Sequence, residues 1–391
     1  MKIIKNMKAL IFAIVFSIFI ICYLVSFGFL ERLSIVILTI FVCIFIKNIK
    51  KVNFVQFCTG ICGMIVGFLI CSHVLFFFEY KNEGKKESIY TETNENTAVF
   101  LVYDGEPERY DIPILLKNMN RKHSLKENIF LPLRLYQYKR VYENVGISKY
   151  NDISRRIGQK LSDHLDHGYD IYVSYLNNKP YYKDVIYEKA LREKYKKMII
   201  APIFLTESIN YQYVVHELEM ENLYTSKNLL KFMSPLWNGE KITKAIIKEV
   251  CKENDDKNEI GIVLMGNRND VDLGPKTVNQ GRMFMENIKK ELIKNGFEER
   301  KIKFTQQSLN DAEINKNLRE LQQYGVGKIL LIGMDDILDK IENQYKIEKL
   351  IKKIKGAEDV DIKYLKGWGE SDFVIEELEF RIRLMNVEEW N

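Results

Sequence analysis

Residues 261–270 read GIVLMGNRND, an unbroken apolar run, Ile262–Met265, that ends abruptly in Gly266, Asn267 and Arg268. A short apolar run closed by a polar turn predicts a buried β-strand. In open α/β proteins the chemistry gathers where such strands end. This end offers no histidine, cysteine or carboxylate before Asp270.

Working outward, the same pattern recurs. Strands are predicted at 98–104, 169–176, 197–204, 229–236, 260–266, 302–308, 328–333 and 360–365. Amphipathic helices are predicted between most of them, at 151–166, 180–195, 211–222, 240–254, 276–295, 311–324, 335–355 and 371–385. Strands alternating with helices at this spacing predict an α/β fold with parallel sheets. The strands fall into two groups of four, so two similar halves are expected, 98–239 and 240–391. No GxGxxG or GxxxxGK[ST] motif is present to support a nucleotide site.

The amino-terminal region differs. Residues 9–30 and 54–78 contain no Asp, Glu, Lys or Arg. Each is long enough to cross a hydrocarbon core of about 30 Å at about 1.5 Å per residue. The intervening apolar run, 33–46, is short, but Arg32 and Lys47 can snorkel at its ends. Residues 1–79 are therefore expected to hold three membrane spans, with two spans and a re-entrant piece as the alternative. The lysines of the amino terminus and of KNIKK (47–51) predict a multi-pass cell-membrane protein with a cytoplasmic amino terminus and an extracytoplasmic soluble part. Residues 80–97, polar and charged, read as a linker.

The whole net charge of +5 lies in residues 1–80, where seven basic side chains face only Glu31 and Glu79. The rest of the chain is balanced, so no basic field points to a nucleic-acid partner. Five of six cysteines lie in the apolar region, leaving Cys251 without a disulfide or zinc partner beyond it.

Several segments, in order, resemble the ferrochelatase family: VFLVYDGEPERYDIPILLKNM (99–119), YENVGISKYNDISRRIGQKLSDHL (142–165), YVSYLNNKPYYKDVI (172–186), KMIIAPIFLTESINYQY (197–213), WNGEKITKAIIKEV (237–250) and FTQQS (304–308). The resemblance implies two Rossmann-like, chelatase-type halves around a porphyrin cleft. It also implies a place in haem biosynthesis, with Fe²⁺ inserted as substrate and no tightly bound cofactor. That chemistry needs a base for two pyrrole protons and a weak ligand to deliver the metal. The family's S-A-H-G/S-L-P motif falls on LMGNRN, which puts Gly266 at the histidine.

The family's D-x-x-E stretch falls on MDDILDKIEN (334–343), which puts Asp336 on its aspartate and Asp339 on its glutamate. The resemblance makes Asp339 and Asp336 the candidate catalytic residues and Asp339 and Glu342 the candidate metal ligands. At i, i+3 and i+6 the three predict one helix face. Acids in a helix's first turn are equally explained by its positive end. Candidate tetrapyrrole contacts are Tyr103, Asp104 and Gly105 after the first strand, with Glu106 next to them, Pro202, Phe204 and Ser208 after the third, and Gly266 and Asn267 after the fifth. His164, His167 and His216 read as exposed helix positions.

Two functions follow. One is an integral membrane protein acting on a tetrapyrrole as a metal-porphyrin chelatase. The other is a catalytically inactive haem- or porphyrin-binding or sensing module, or a scaffold for protein partners.

Overall fold

The computed structural model describes residues 2–77, 94–122, 127–192, 195–220, 229–253, 256–266, 275–305, 311–334, 336–355 and 360–390. In chain order the elements are α1 (Lys2–Val25), α2 (Phe29–Asn48), α3 (Phe54–Phe76), β1 (Asn94–Tyr103), α4 (Ile112–Lys122), α5 (Leu131–Val145), α6 (Tyr150–His164), β2 (Tyr169–Tyr175), α7 (Tyr182–Arg192), β3 (Tyr195–Pro202), α8 (Ile209–Met220), β4 (Leu229–Phe232), α9 (Glu240–Cys251), β5 (Ile260–Met265), α10 (Pro275–Lys294), β6 (Ile302–Thr305), α11 (Asp311–Gln323), β7 (Lys328–Gly333), α12 (Ile341–Lys355), β8 (Asp361–Leu365) and α13 (Asp372–Val387).

They form two compact units. The first combines Met1–Lys85 with Arg109–Ile147. Its α1, α2 and α3 are long and apolar enough to cross a membrane, with mean hydropathies of 2.6, 2.4 and 2.1 over their spans. The middle helix outgrows the apolar run read from sequence by taking in Phe29–Arg32, and 20 residues suffice for a crossing. Helices α1 and α3 pack with backbones in near contact. A Cβ on Gly63 would lie 2.7 Å from the Leu10 carbonyl oxygen, and one on Gly67 2.7 Å from that of Ile14. Ser17 Oγ donates to the Met64 carbonyl at 2.9 Å.

Helices α4 and α5 belong to this unit, where the sequence reading had assigned 98–239 to one continuous half. Leu115, Leu116, Met119, Leu131 and Leu135 bury against Ile21, Val25, Phe68 and Leu75 of the long helices. The Tyr110 hydroxyl donates to the Val25 carbonyl at 2.7 Å. Lys139, buried on α5, donates to Glu31 at 2.8 Å and to the Tyr23 carbonyl at 3.2 Å. An apolar stripe needs something to cover it; the pattern of α4 and α5 did not reveal that α1 and α3 do so.

The second unit combines Lys86–Glu108 with Ser148–Asn391 and holds both halves. Each half is a four-stranded parallel sheet, ordered β2-β1-β3-β4 and β6-β5-β7-β8. Helices α7 and α8 cover one face of the first sheet, and α11 and α12 one face of the second. The inner faces share a core in which Leu101, Ile157 and Leu161 join Ile246, Ile262, Leu264, Ile375 and Leu378 through α9 and α13. Strands covered on both faces read as continuous apolar runs, as IGIVLM does.

Boundaries shift where tertiary contacts override local pattern. Strand β1 begins at Asn94, inside the stretch read as a linker, because Asn94 and Asn96 reach the Asp170 carboxylate on β2. Residues 80–93 of that linker lie outside the described residues. Strand β4 stops at Phe232. Strand β6 is described as far as Thr305, and residues 306–308 of the expected strand lie outside the described residues. The helix expected from 335 starts only at Ile341. Ile337 and Leu338 are instead buried in the shared core, with the Ile337 carbonyl so close to Gly369 that a Cβ there would come within 2.1 Å.

Candidate functional site at the strand tips

In both sheets the first strand lies between the second and third, so successive crossovers leave on opposite sides and open a crevice at the carboxyl ends of the central strands. Asp104 directly follows β1, and Asp336 follows β7 by three residues. The fold brings them to one point. Lys340 Nζ bridges them, donating to Asp104 Oδ2 and lying 3.2 Å from Asp336 Oδ2. The side chains of Asp104, Asp336 and Lys340 are 3, 10 and 31% exposed. Asn177 Nδ2 also donates to Asp104, and Asn210 Nδ2 does so at 3.2 Å.

Gly105 turns the chain with φ at 75°, and a Cβ there would sit 2.6 Å from Tyr175 Cβ. Glycine alone accepts both conditions. The turn aims Glu106 at the second half. Its carboxylate accepts from Ser148 Oγ and from the Ile341 backbone N–H, the latter at 3.0 and 3.2 Å to its two oxygens. The Glu106 carbonyl takes Asn151 Nδ2 at 2.7 Å and Asn178 Nδ2 at 3.0 Å. The phenols of Tyr103 and Tyr150 are fully buried nearby, and neither hydroxyl has a hydrogen-bond partner among the described residues. The Gly105 N–H faces the Tyr150 oxygen without reaching hydrogen-bond geometry.

Burial dominates the electrostatics. It pushes Glu106 up to about 7 against the pull of the Ser148 hydroxyl, the Ile341 N–H and the Lys340 charge. It likewise pushes Asp336 up to about 6 against Lys340, with Asp104 adding to the rise. Burial disfavours the Lys340 ammonium, yet Asp104 and Asp336 together outweigh it and hold the amine firmly protonated. The site thus contains its own cation between two carboxylates. Among the described residues no set of three or more His, Cys, Asp or Glu side chains converges to hold a metal ion.

Of the residues expected from sequence, Tyr103, Asp104, Gly105 and Asp336 come together here. Asp336, Asp339 and Glu342 do not form one helix face, because only Glu342 is helical. Asp339 accepts from the Tyr364 hydroxyl on β8, and burial raises its carboxyl against that bond. Glu342 lies 2.5 Å from Lys346. Pro202 closes β3. Phe204 is buried in the cluster with Phe100 and Tyr182 rather than presented to the crevice. Ser208 Oγ accepts from the Tyr211 N–H at 3.3 Å at the start of α8. Gly266 is buried, its N–H on the Thr305 carbonyl at 3.0 Å. A Cβ there would meet Met285 Cε at 2.9 Å and the Thr305 oxygen at 3.0 Å, so a larger side chain requires Met285 and β6 to move. Asn267 lies outside the described residues.

Sequence reasoning missed Lys340, Ser148, Asn177, Asn178, Asn210 and Tyr150, and placed Glu106 beside the porphyrin contacts without giving it a proton-transfer role. Lys340 stands four residues after Asp336, a spacing that signals an ion pair. Nothing local signals its tie to Asp104, 236 residues away in sequence.

No sequence-family profile matches the chain, and no curated protein matches it. Solved structures do. Sirohydrochlorin chelatase SirB of Bacillus subtilis subspecies spizizenii, in complex with cobalt, shares 11% identity with a TM-score of 0.48, over 76% of this chain and all of that one. SirB from Bacillus subtilis with Fe³⁺ shares 12% identity with a TM-score of 0.50 over the same shares. A multi-domain Deinococcus radiodurans protein described as structurally similar to chelatases shares 13%, with a TM-score of 0.46, over 74% of this chain and 55% of its own. At such identities the likeness concerns the fold, and only the Fe³⁺ structure is close enough to argue from. The two-sheet unit has a chelatase-type fold.

Proposed function

We propose that this is a membrane-anchored tetrapyrrole-binding protein that holds a flat macrocycle at the strand tips of its two halves without inserting a metal. The observation that carries the reading is Lys340, whose ammonium occupies the space between Asp104 and Asp336. A divalent ion arriving there would have to displace a charged lysine, and hard cations need those carboxylate oxygens free. Gly266 adds to this, since it supplies no imidazole and a Cβ there would press on Met285 and the Thr305 carbonyl. The chelatase-type fold, shared with SirB from Bacillus subtilis with Fe³⁺, supports the choice of ligand.

One observation favours a second reading, ferrochelatase-like turnover with Fe²⁺ as substrate. Glu106 is pushed up to about 7, so it exchanges a proton near neutral pH, as a base for pyrrole protons must.

The test uses the full chain in detergent or nanodiscs. Titration with a metal-free porphyrin and with sirohydrochlorin should give a saturable shift of the Soret-region absorbance. Adding Fe²⁺, Co²⁺ or Zn²⁺ should then give no metallated product above the protein-free rate. Metallation above that rate establishes the second reading, and a featureless titration ends both. Three spans with a cytoplasmic amino terminus would place the chelatase-type unit outside the cytoplasm. Compartment-sensitive reporter fusions at Asn391 test that, and cytoplasmic reporter activity would reverse it.

A further inference from the structure

The exposed face of α5 changes character along its length. At its start and in the turn just before it, Leu133, Ile129 and Phe130 are 42, 42 and 55% exposed. Farther along, the exposed positions are Gln137, Arg140, Glu143 and Asn144. The apolar end is tied to a candidate membrane helix: Ser72 Oγ of α3 donates to the Ile129 carbonyl at 2.8 Å while also bonding the Phe68 carbonyl at 3.0 Å. Beside it, Val74 of α3 and Phe77, which caps that helix, are exposed and apolar. A backbone carbonyl facing hydrocarbon is costly unless a donor reaches it, and Ser72 is that donor. One turn on, Arg134 has a buried guanidinium nitrogen with no partner among the described residues.

We infer that the stretch from Ile129 to Leu133, which leads into α5, lies in the interfacial layer of the bilayer that α1, α2 and α3 cross. Its occupant is lipid: acyl chains cover Ile129, Phe130 and Leu133, continuous with the lipid face of α3. The switch to Gln137, Arg140 and Asn144 marks where the helix rises into water. Apolar residues at the acyl boundary with polar ones above them are what an interfacial helix requires. The segment 109–147 is then a second membrane contact, spliced into the chain between Glu106 and Ser148, which hydrogen-bond each other.

The inference rests on the three apolar helices spanning a bilayer, and the test separates the two claims. Phe130→Trp, Leu133→Trp and Asn144→Trp are each made in the full chain and reconstituted in phosphatidylcholine vesicles. The emission of native Trp237, Trp368 and Trp390 is subtracted using unsubstituted protein. Lipids brominated near the top of the acyl chain should quench the tryptophans at 130 and 133 at least twofold and leave that at 144 unchanged. Aqueous iodide should do the reverse. Iodide quenching at 130 and 133, in a chain that resists alkaline carbonate extraction, overturns the inference alone. Release by carbonate overturns the spans and the inference with them. Tryptophans at 130 and 133 shielded from both quenchers would show a protein surface there instead of lipid, which also overturns it.

Discussion

The Glu106 carboxylate, two residues beyond Asp104 and just past the turn at Gly105, accepts the backbone N–H of Ile341 at the start of α12. A helix's first N–H groups lack partners within the helix, and its positive end favours an anion. The first half of the fold thus caps a helix of the second. Beside this cap, Lys340 joins the same two halves through Asp104 and Asp336.

Glu106 makes stability depend on pH. In an unfolded chain glutamate titrates near about 4.3, and in the fold burial raises Glu106 to about 7. The folded form binds the proton more tightly, so this stabilisation is full below the unfolded value and is lost as pH rises through 7. At about 1.4 kcal/mol per pK unit the full loss is roughly 4 kcal/mol. Glu106→Gln keeps an acceptor for Ile341 and removes the titration. Thermal melts from pH 5 to 8 should fall less steeply for the variant than for the parent, and equal slopes would refute the assignment.

Lys340→Met should destabilise the fold at pH 8 by about 2–3 kcal/mol, because Asp104 and Asp336 are left buried without their cation. The partial exposure of Lys340 keeps the effect below that of a fully buried pair. Asp336, already raised to about 6, should take up a proton more readily without Lys340, so lowering the pH to 5 should recover much of the loss. Adding Asp104→Asn should recover part of it at pH 8. Chemical denaturation of the single and double variants measures both.

Gly266→His should not restore a chelating histidine. The new Cβ meets Met285 Cε and the Thr305 carbonyl, and over-packing of this kind costs about 1–3 kcal/mol. A lowered melting temperature with no metal insertion is expected. Metallated porphyrin formed by the variant alone would count against the steric argument.

In the first unit, Gly67→Leu should break the close packing of α1 on α3, since even a Cβ there falls 2.7 Å from the Ile14 carbonyl. Reduced resistance of the detergent-solubilised chain to heat should report it, while Gly60→Leu, which meets nothing within 4 Å, should leave the melt unchanged.

The two sheets were legible because their central strands are covered on both faces and so read as plain apolar runs: AVFLVY, MIIAP, IGIVLM and KILLIG. The likeness of their spacing to a chelatase pointed to the same fold. The site was half legible. Asp104, Gly105 and Asp336 sit where strands end, and strand ends are visible in sequence. The partners that set their chemistry, Lys340 and Glu106 above all, act across the two halves, and no local period records such a pairing.

By itself the sequence determined the periodic features: three apolar stretches, eight strands in two groups, and the absence of an imidazole at Gly266. Each depends on neighbours a few residues apart, which the side-chain order states directly. Tertiary structure decided the rest. It assigned 109–147 to the apolar helices, held 336–340 out of α12, and filled the space between two aspartates with a lysine. These outcomes turn on which distant surfaces bury one another and which buried charges find partners. Such energies belong to the packed chain and to no single segment of it.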